Sequence, residues 1–166
     1  QTLDNGSGRI FSQAAQTLRA DTLSNNQGWI GSQGQWQAST SMFDNTSGSV
    51  QAGQSALLQT ASLLNQQGML QSADDLSLNV SQNTDNRAGK ISAQSQLRLA
   101  GSDEDQTSGA IDNTGGQWLA GEILKISAQS VNNSQGGLLY SQKMLTLELN
   151  GDLDNQLGKI QSGDAL

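Results

Sequence analysis

Apolar positions recur along the chain at intervals of about twenty residues and enclose a segment rich in turn-forming residues. Three octets illustrate the pattern: "LDNGSGRI" at 3–10, "TDNRAGKI" at 84–91 and "LDNQLGKI" at 153–160. In each octet an Asn is followed three places later by Gly and then, two places on, by Ile. The Asn recurs at spacings of 20, 20, 20, 21, 27, 20 and 22 residues. Self-similarity at a nearly fixed period indicates a repeat architecture.

Four columns of residues define the repeat. The Asn column comprises Asn5, Asn25, Asn45, Asn65, Asn86, Asn113, Asn133 and Asn155. The Gly column comprises Gly8, Gly28, Gly48, Gly68, Gly89, Gly116, Gly136 and Gly158. The position two residues after each Gly holds Ile10, Ile30, Val50, Leu70, Ile91, Trp118, Leu138 or Ile160. The position two residues before each Asn holds Leu3, Leu23, Phe43, Leu63, Thr84, Ile111, Val131 or Leu153. Asn tolerates positive φ and Gly adopts it freely, so we predict a turn built on these two residue types.

A second apolar patch in each unit predicts strands. "LSL" at 76–78, "LRL" at 97–99, "LKI" at 124–126 and "LTL" at 145–147 alternate with period two, as strands do. Each unit is therefore predicted as strand, turn, strand, turn, without a helix. A unit this short cannot close its own core, whereas stacked units can.

We therefore predict an all-β fold over residues 1–166: a right-handed parallel β-helix, or solenoid, of about eight coils of ~20 residues. The hand follows from the preference for right-handed crossovers. At about 4.8 Å per coil, the rod would be roughly 35 to 40 Å long. The Asn side chains would then stack as an amide ladder.

The 27-residue spacing contains an insertion at about 101–109, "GSDEDQTSG". We expect a solvated acidic loop that protrudes from the coil. The alternative is a recognition loop with partner contacts at Asp103, Glu104 and Asp105, because insertions often decorate the binding face of a solenoid. These consecutive carboxylates lack the alternate spacing and central Gly of a calcium loop, so we predict no metal site.

Carboxylates recur immediately before the Asn column, at Asp4, Asp44, Asp85, Asp112 and Asp154. We expect each Asp to cap its own turn through local hydrogen bonds. The alternative is catalysis, because carboxylates two coils apart would lie about 9.6 Å from each other, near the separation in inverting glycosidases. An enzyme of that kind would gather at least two carboxylates and a basic residue in one groove. We favour capping and predict that the chain is not an enzyme.

The aromatic residues divide between the core and the surface. Trp118 falls in the apolar column and Trp36 begins a second patch, so both are predicted to be buried. Trp29 precedes the inward Ile30, and alternation places it outside. There it could stack on a sugar or a partner side chain, or be an ordinary surface aromatic. Arg9, Lys90 and Lys159 occupy the same outward position, which fits solubility.

Composition narrows the classes of function. The 166 residues carry a net charge of -7, which disfavours binding to nucleic acid or to anionic lipid. The chain contains no Cys and no His, which removes disulfides and the commonest metal ligand and general base. We predict no cofactor. The sequence shows no signal peptide and no apolar run near 18 residues, which fits a soluble chain or a segment of a longer one. Because it begins and ends in mid-pattern, at "QTLDN" and "GDAL", we expect a segment.

The Asn-x-x-Gly-x-Ile core, followed by Leu-x-Leu, resembles the haemagglutinin repeats of filamentous haemagglutinin and of CdiA-type exoproteins of two-partner secretion systems. The resemblance extends through all eight units, although the Asn-Pro-Asn motif of the family's secretion domain is missing. It implies a filament that is exported through an outer-membrane transporter and displayed on a Gram-negative bacterium. Such filaments act as adhesins, or deliver a toxin to a receptor on a neighbouring cell in contact-dependent growth inhibition, which is the role we favour.

The sequence thus predicts a structural shaft segment whose parent protein reaches a receptor or glycan on a target cell through other regions. The alternative function is a polysaccharide-binding or polysaccharide-cleaving β-helix. Exposed strand edges at the first and last coils also predict end-to-end self-association of the chain.

Overall fold

Short runs of alternating residues form strands that stack in parallel register from one coil to the next. The computed structural model describes residues 1–103 and 105–166 and contains no helix within those residues. The predicted parallel β-helix of about eight coils of ~20 residues is confirmed. The strands are β1 (Thr2–Asp4), β2 (Arg9–Ser12), β3 (Gln16–Arg19), β4 (Thr22–Ser24), β5 (Trp29–Ser32), β6 (Trp36–Ser39), β7 (Met42–Asp44), β8 (Ser49–Ala52), β9 (Ala56–Thr60), β10 (Ser62–Leu64), β11 (Met69–Ser72), β12 (Leu76–Val80), β13 (Thr84–Asp85), β14 (Lys90–Ala93), β15 (Gln96–Ala100), β16 (Ser108–Asp112), β17 (Gln117–Ala120), β18 (Ile123–Asn132), β19 (Leu138–Ser141), β20 (Met144–Leu149), β21 (Leu153–Asp154) and β22 (Lys159–Ser162). The right hand of the coil stays a prediction.

Each coil has three faces, and each face is a stack of parallel strands. The first face contains β1, β4, β7, β10, β13, β16, the second half of β18, and β21. The second face contains β2, β5, β8, β11, β14, β17, β19 and β22. The third face contains β3, β6, β9, β12, β15, the first half of β18, and β20.

The prediction of two strands per coil is wrong, because the chain bends between the third face and the next first face. At this linker corner, which we define as the segment between those two faces, residues 40–41 separate β6 from β7. The bend carries no Pro and no constant Gly, so nothing in the repeat marks it. Among the described residues, only β18 continues from one face to the next without a break, and it joins the first and third faces into one 14-stranded sheet.

The core consists of inward columns that stack in register. Leu23 pairs with Leu3 on one side and with Phe43 on the other, and Ile30 likewise pairs with Ile10 and Val50. Trp36 and Trp118 are fully buried, as predicted. Thr84, the polar member of its column, is buried as well.

One coil does not follow the predicted alignment of the columns. Between β18 and β19 the turn has one extra residue, so the position equivalent to Gly116 is Gly137 rather than Gly136. The inward residue of β19 is accordingly Leu139, which pairs with Trp118 and Ile160, and not Leu138. The fixed offset from Asn133 misassigned both positions because a spacing rule cannot detect an added residue.

Candidate functional site

The corner between the first and second faces, here called the Asn corner, is built on a continuous ladder of buried amides. Each Asn Nδ2 donates to the Oδ1 of the Asn in the next coil at 2.7 Å, from Asn5 to Asn155. The same Nδ2 groups also approach backbone carbonyls; Asn45 Nδ2, for example, lies 3.1 Å from the Met69 oxygen. The interior members of the ladder are completely buried. Every predicted Asn therefore lies in one file.

Glycine is required in the Asn corner because of close packing. Positive φ falls one residue earlier, mostly on non-glycine residues such as Gln27 (φ 55) and Ala88 (φ 52). The turn was predicted from the tolerance of Asn and Gly for positive φ, but of the predicted column glycines only Gly136 adopts it. A Cβ at Gly68 would instead lie 2.2 Å from the Asn45 carbonyl oxygen of the preceding coil, so any larger residue would separate the coils. Gly136, which does have positive φ, lies in the longer turn outside the aligned column.

The Asp residues before the Asn column hold their own turns together. Asp44 Oδ1 accepts a hydrogen bond from the Thr46 N–H at 2.9 Å, and Asp154 does the same with Gln156. Asn132 replaces Asp at one coil and makes the equivalent bond to Ser134. These are the local caps that the sequence predicts.

Two of these carboxylates converge with a basic residue on the outer side of the first face. Arg87 Nη2 lies 2.7 Å from Asp85 Oδ2, and Arg87 Nε lies 3.7 Å from an oxygen of Asp112. Gln66 Nε2 also donates to Asp85 Oδ2, at 2.5 Å. A shallow groove of about 560 Å³ runs past these residues toward Asp152 and Asp154.

The electrostatics of this cluster differ from those of a glycosidase acid. Burial raises the pKa of Asp85, but hydrogen bonds from Arg87 and Gln66 more than compensate and hold that pKa below its ordinary value. A catalytic acid in a glycosidase needs the opposite shift, because it must stay protonated until it transfers its proton. The oxygens of Asp85 are also taken up by the turn and by Arg87. Asp85 and Asp112 line the groove but Arg87 does not, so the groove itself contains no basic residue, and the hydrogen bonds of Asp85 serve the turn.

Trp29 lies on the outer side of the second face, where alternation places it. Its ring stacks on Phe11 with centroids 5.8 Å apart, and the Arg9 guanidinium lies 4.5 Å from the Trp29 centroid. The indole also extends over Gly31, where a Cβ would meet it at 2.2 Å. Phe11, which is 47% exposed, was missed from the sequence. Its position beside the inward Ile10 was the available signal, since alternation turns Phe11 outward.

This aromatic cluster, comprising Arg9, Phe11 and Trp29, borders a shallow groove of about 420 Å³ along the second face. Gln51 and Gln71 line the groove beyond the rings, and Gly53 and Ala73 keep it open. Aromatic rings beside amide side chains form a surface that can stack on a sugar and hydrogen-bond to its hydroxyls. Lys90 and Lys159 share the outward column but lie in later coils, away from the rings.

The acidic insertion forms the longest linker corner and closes on itself. The Gly101 N–H donates to the Gln106 carbonyl at 2.7 Å, and the Asp105 N–H donates to Asp103 Oδ1 at 3.1 Å. Asp103 and Asp105 are exposed, whereas Glu104 lies outside the described residues. Within residues 1–103 and 105–166, no three acidic groups are placed to hold a metal ion. The described residues also contain no helix with the length and apolarity that a membrane crossing requires.

Comparison with protein families identifies these coils. The haemagglutinin repeat matches residues 1–39, 33–101 and 73–166, which together span the chain. The chain therefore belongs to the haemagglutinin repeat family, whose members are typically secreted cell-surface exoproteins of the filamentous haemagglutinin type. Searches of curated proteins and of solved structures gave no match.

Proposed function

We propose that this chain is a rigid shaft segment of a secreted, cell-surface filament of a Gram-negative bacterium, and that it carries out no catalysis. The filament would hold binding or toxin regions of the same protein away from the cell. The observation that carries the proposal is the unbroken amide ladder from Asn5 to Asn155, because every coil is tied to the next at one fixed corner. Membership of the haemagglutinin repeat family supports the same role.

The partner required for export is an outer-membrane transporter of a two-partner secretion system, and the target-cell partner is a receptor or glycan reached by other regions. The absence of Cys supports export of an unfolded chain, since no crosslink has to be broken. Of the two roles within the family, we favour delivery of a toxin in contact-dependent growth inhibition over adhesion alone.

Deletion of whole coils tests the shaft role. Removing residues 25–64 from the parent protein joins Ser24 to Asn65 and preserves the ladder register, so the filament should remain on the cell surface. It should be shorter by two coils, about 10 Å, as measured on the purified repeat region by small-angle scattering. The matched control removes residues 25–54, which leaves the corner out of register and should abolish folding. Loss of surface display in both deletions, or unchanged length in the first, would contradict the shaft.

Co-culture with target cells distinguishes toxin delivery from adhesion alone. Cells that display the full-length protein should inhibit the growth of contacting target cells and lose this activity when the region downstream of the shaft is removed. Adherence without inhibition would favour the adhesin.

A second candidate function is glycan binding at the aromatic cluster. The exposed Phe11 and the stacked Trp29 beside Gln51 and Gln71 favour it. A glycan array probed with the chain should then give a signal that Trp29→Ala removes and that Trp118→Phe, a conservative change in the core, retains. Incubation with acidic polysaccharides tests cleavage. Turnover that Asp85→Asn abolishes would overturn the proposal of a non-catalytic shaft.

A further inference from the structure

The dipeptide Asn-Gly occurs twice in the chain, once at each of the two corners. Asn5 and Gly6 lie in the Asn corner, where Asn5 belongs to the amide ladder. Asn150 and Gly151 lie in the linker corner between β20 and β21, where residues 150–152 are all exposed. The same pair of residues therefore meets two different surroundings.

An Asn that precedes Gly can lose its side-chain amide without an enzyme. The backbone nitrogen of the Gly attacks the Asn Cγ, its proton passes to Nδ2, and the Cγ–Nδ2 bond breaks to release ammonia. The resulting succinimide ring takes up one water molecule from solvent and opens to aspartate or to isoaspartate. Gly favours the attack because it has no Cβ beside the nitrogen and its backbone rotates freely.

Both reacting groups are held in place at the Asn corner. Asn5 is 7% exposed, and its Nδ2 donates to Asn25 Oδ1 at 2.7 Å. The nitrogen that would attack, Gly6 N, donates to Asp4 Oδ1 at 2.8 Å. The reaction at Asn5 therefore requires that both hydrogen bonds break first, which is costly for the buried amide.

The surroundings of Asn150 impose much less restraint. Its side chain is exposed, and its Nδ2 makes one long hydrogen bond, to Thr107 Oγ1 at 3.4 Å. Within residues 1–103 and 105–166, the Gly151 N–H donates to no acceptor. Residues 81–83, in a linker corner with coils on both sides, are exposed as well. The exposure of Asn150 is therefore a property of the linker corner.

We propose that Asn150 is a site of spontaneous deamidation, at which the amide becomes aspartate or isoaspartate while the Asn residues of the ladder stay intact. The product adds one negative charge to the linker corner, and isoaspartate also adds one methylene to the main chain. Linker corners already vary in length up to the seven residues 101–107, so the coils keep their register. The rod thus changes its surface charge with age but not its fold. The inference does not depend on export or surface display, so its failure would leave the shaft proposal intact.

Peptide mass spectrometry of a chain aged in mildly alkaline buffer tests the site. The matched control is Thr46→Gly, which places a Gly after Asn45, a completely buried member of the ladder inside the rod. In the folded variant, Asn150 should be converted at least about tenfold faster than Asn5 or Asn45, because the ladder must open before it reacts. In urea the three sites should react at similar rates, because each then has the same Asn-Gly sequence without the fold. Equal rates at the three sites in the folded chain, or an intact Asn150 there, would overturn the proposal.

Anion-exchange chromatography tests the consequence for the whole molecule. The aged native chain should yield a more acidic species, and Asn150→Gln should not, because Gln would have to close a larger and less favourable ring. The acidic species should have the circular dichroism spectrum and the unfolding temperature of the fresh chain. The same acidic species from Asn150→Gln, or a markedly lower unfolding temperature of the aged native chain, would contradict a modification confined to the linker corner.

Discussion

Two corners of the same coil differ in how much their length and sequence vary from one coil to the next. The Asn corner has four residues between its strands in every coil except one, where Gly136 adds a fifth. The linker corner varies from no break at β18, through one to three residues, to the seven residues 101–107. The difference follows from solvation. Buried amides must find partners inside the protein, whereas groups at an exposed bend can be satisfied by water.

The same difference between the corners explains which residue types recur. At the Asn corner, coils approach so closely that the Asn45 carbonyl would contact a Cβ on Gly68. At the linker corner, the acidic insertion closes with hydrogen bonds of its own and leaves the strands on either side in register. The sequence is therefore constant at the Asn corner, which sets the register of the coils. It varies at the linker corner, which only has to connect one strand to the next.

Removing one Asn from the amide ladder should have the largest effect on stability. Asn25→Ala leaves the Asn5 donor and the Asn45 acceptor without their ladder partner in a buried site, which should lower the free energy of unfolding by about 2 to 6 kcal/mol. Asn26→Ala changes the neighbouring, half-buried residue and should cost within about 0.5 kcal/mol. Urea denaturation followed by circular dichroism makes the comparison. Equal losses would show that the ladder has no special role in stability.

Two neighbouring glycines test whether close packing or φ governs the turn. Gly116→Ala places a Cβ 2.1 Å from the Asn86 carbonyl oxygen and should cost about 1 to 3 kcal/mol or more. Gly115 has φ 62, but its equivalent in the preceding coil is already Ala88. The left-handed conformation costs about 1 to 2 kcal/mol and the lower entropy of the unfolded chain offsets about 0.4 to 1 kcal/mol of it, so Gly115→Ala should cost about 1 kcal/mol. Thermal unfolding of the two variants ranks them. A larger loss for Gly115→Ala would restore φ as the governing constraint.

The Asp85–Arg87 pair on the outer side of the Asn corner should contribute less to the free energy of unfolding than the ladder or the column glycines. Its contribution should also depend on pH. The folded-state pKa of Asp85 lies below its ordinary value of 3.8, so the stabilisation by this ionised carboxylate is fully present above that pH. It is lost as the pH falls through the folded-state pKa. Because Arg87 is half exposed, we expect less than about 1 kcal/mol. Urea titrations at pH 7 and pH 3 should show a greater loss for the native chain than for Asp85→Asn, in which that contribution is removed. A variant with the same pH dependence as the native chain would contradict the assignment.

Shortening the acidic insertion should have the smallest effect on stability. Deleting residues 102–105 leaves the three-residue link Gly101, Gln106 and Thr107, as long as the link between β12 and β13. The change in loop length should alter stability by no more than about 0.6 kcal/mol. Differential scanning calorimetry of the deletion and the native chain measures it. A loss comparable to that of Asn25→Ala would mean that the linker corner also determines the register. The same deletion removes Asp103, Glu104 and Asp105, so unchanged target-cell binding by the parent protein would exclude a contact there.

Much of the fold could be predicted because the repeat makes one local rule visible eight times. The Asn column, the inward columns and the parallel stacking all follow from residues at fixed offsets, and the burial of Trp36 and Trp118 followed from the same columns. The third strand of each coil was missed because its bend lacks a distinctive residue. Gly137 and Leu139 were missed because one added residue shifts every later position until the next Asn.

The candidate site residues were likewise predicted only in part: their positions could be predicted, but their contacts could not. Alternation placed Trp29 outside, but its contacts with Arg9 and Phe11 join two coils and depend on the twenty-residue offset between their strands. The convergence of Asp85, Arg87 and Asp112 likewise joins two coils. Contacts of this kind depend on side-chain conformation as well as on register, so a column alignment brings the residues near each other without deciding which atoms meet.

The sequence by itself determined that coils would stack and which residues would lie in file, because burial of apolar side chains requires a periodic pattern and a periodic pattern is readable along one chain. Three features were decided only by the tertiary structure: the reason that glycine is needed at the Asn corner, the place of the linker corner that interrupts the strands everywhere except in β18, and the direction in which the amides donate. Those features arise from distances between neighbouring coils, and such distances exist only once the coils are in contact.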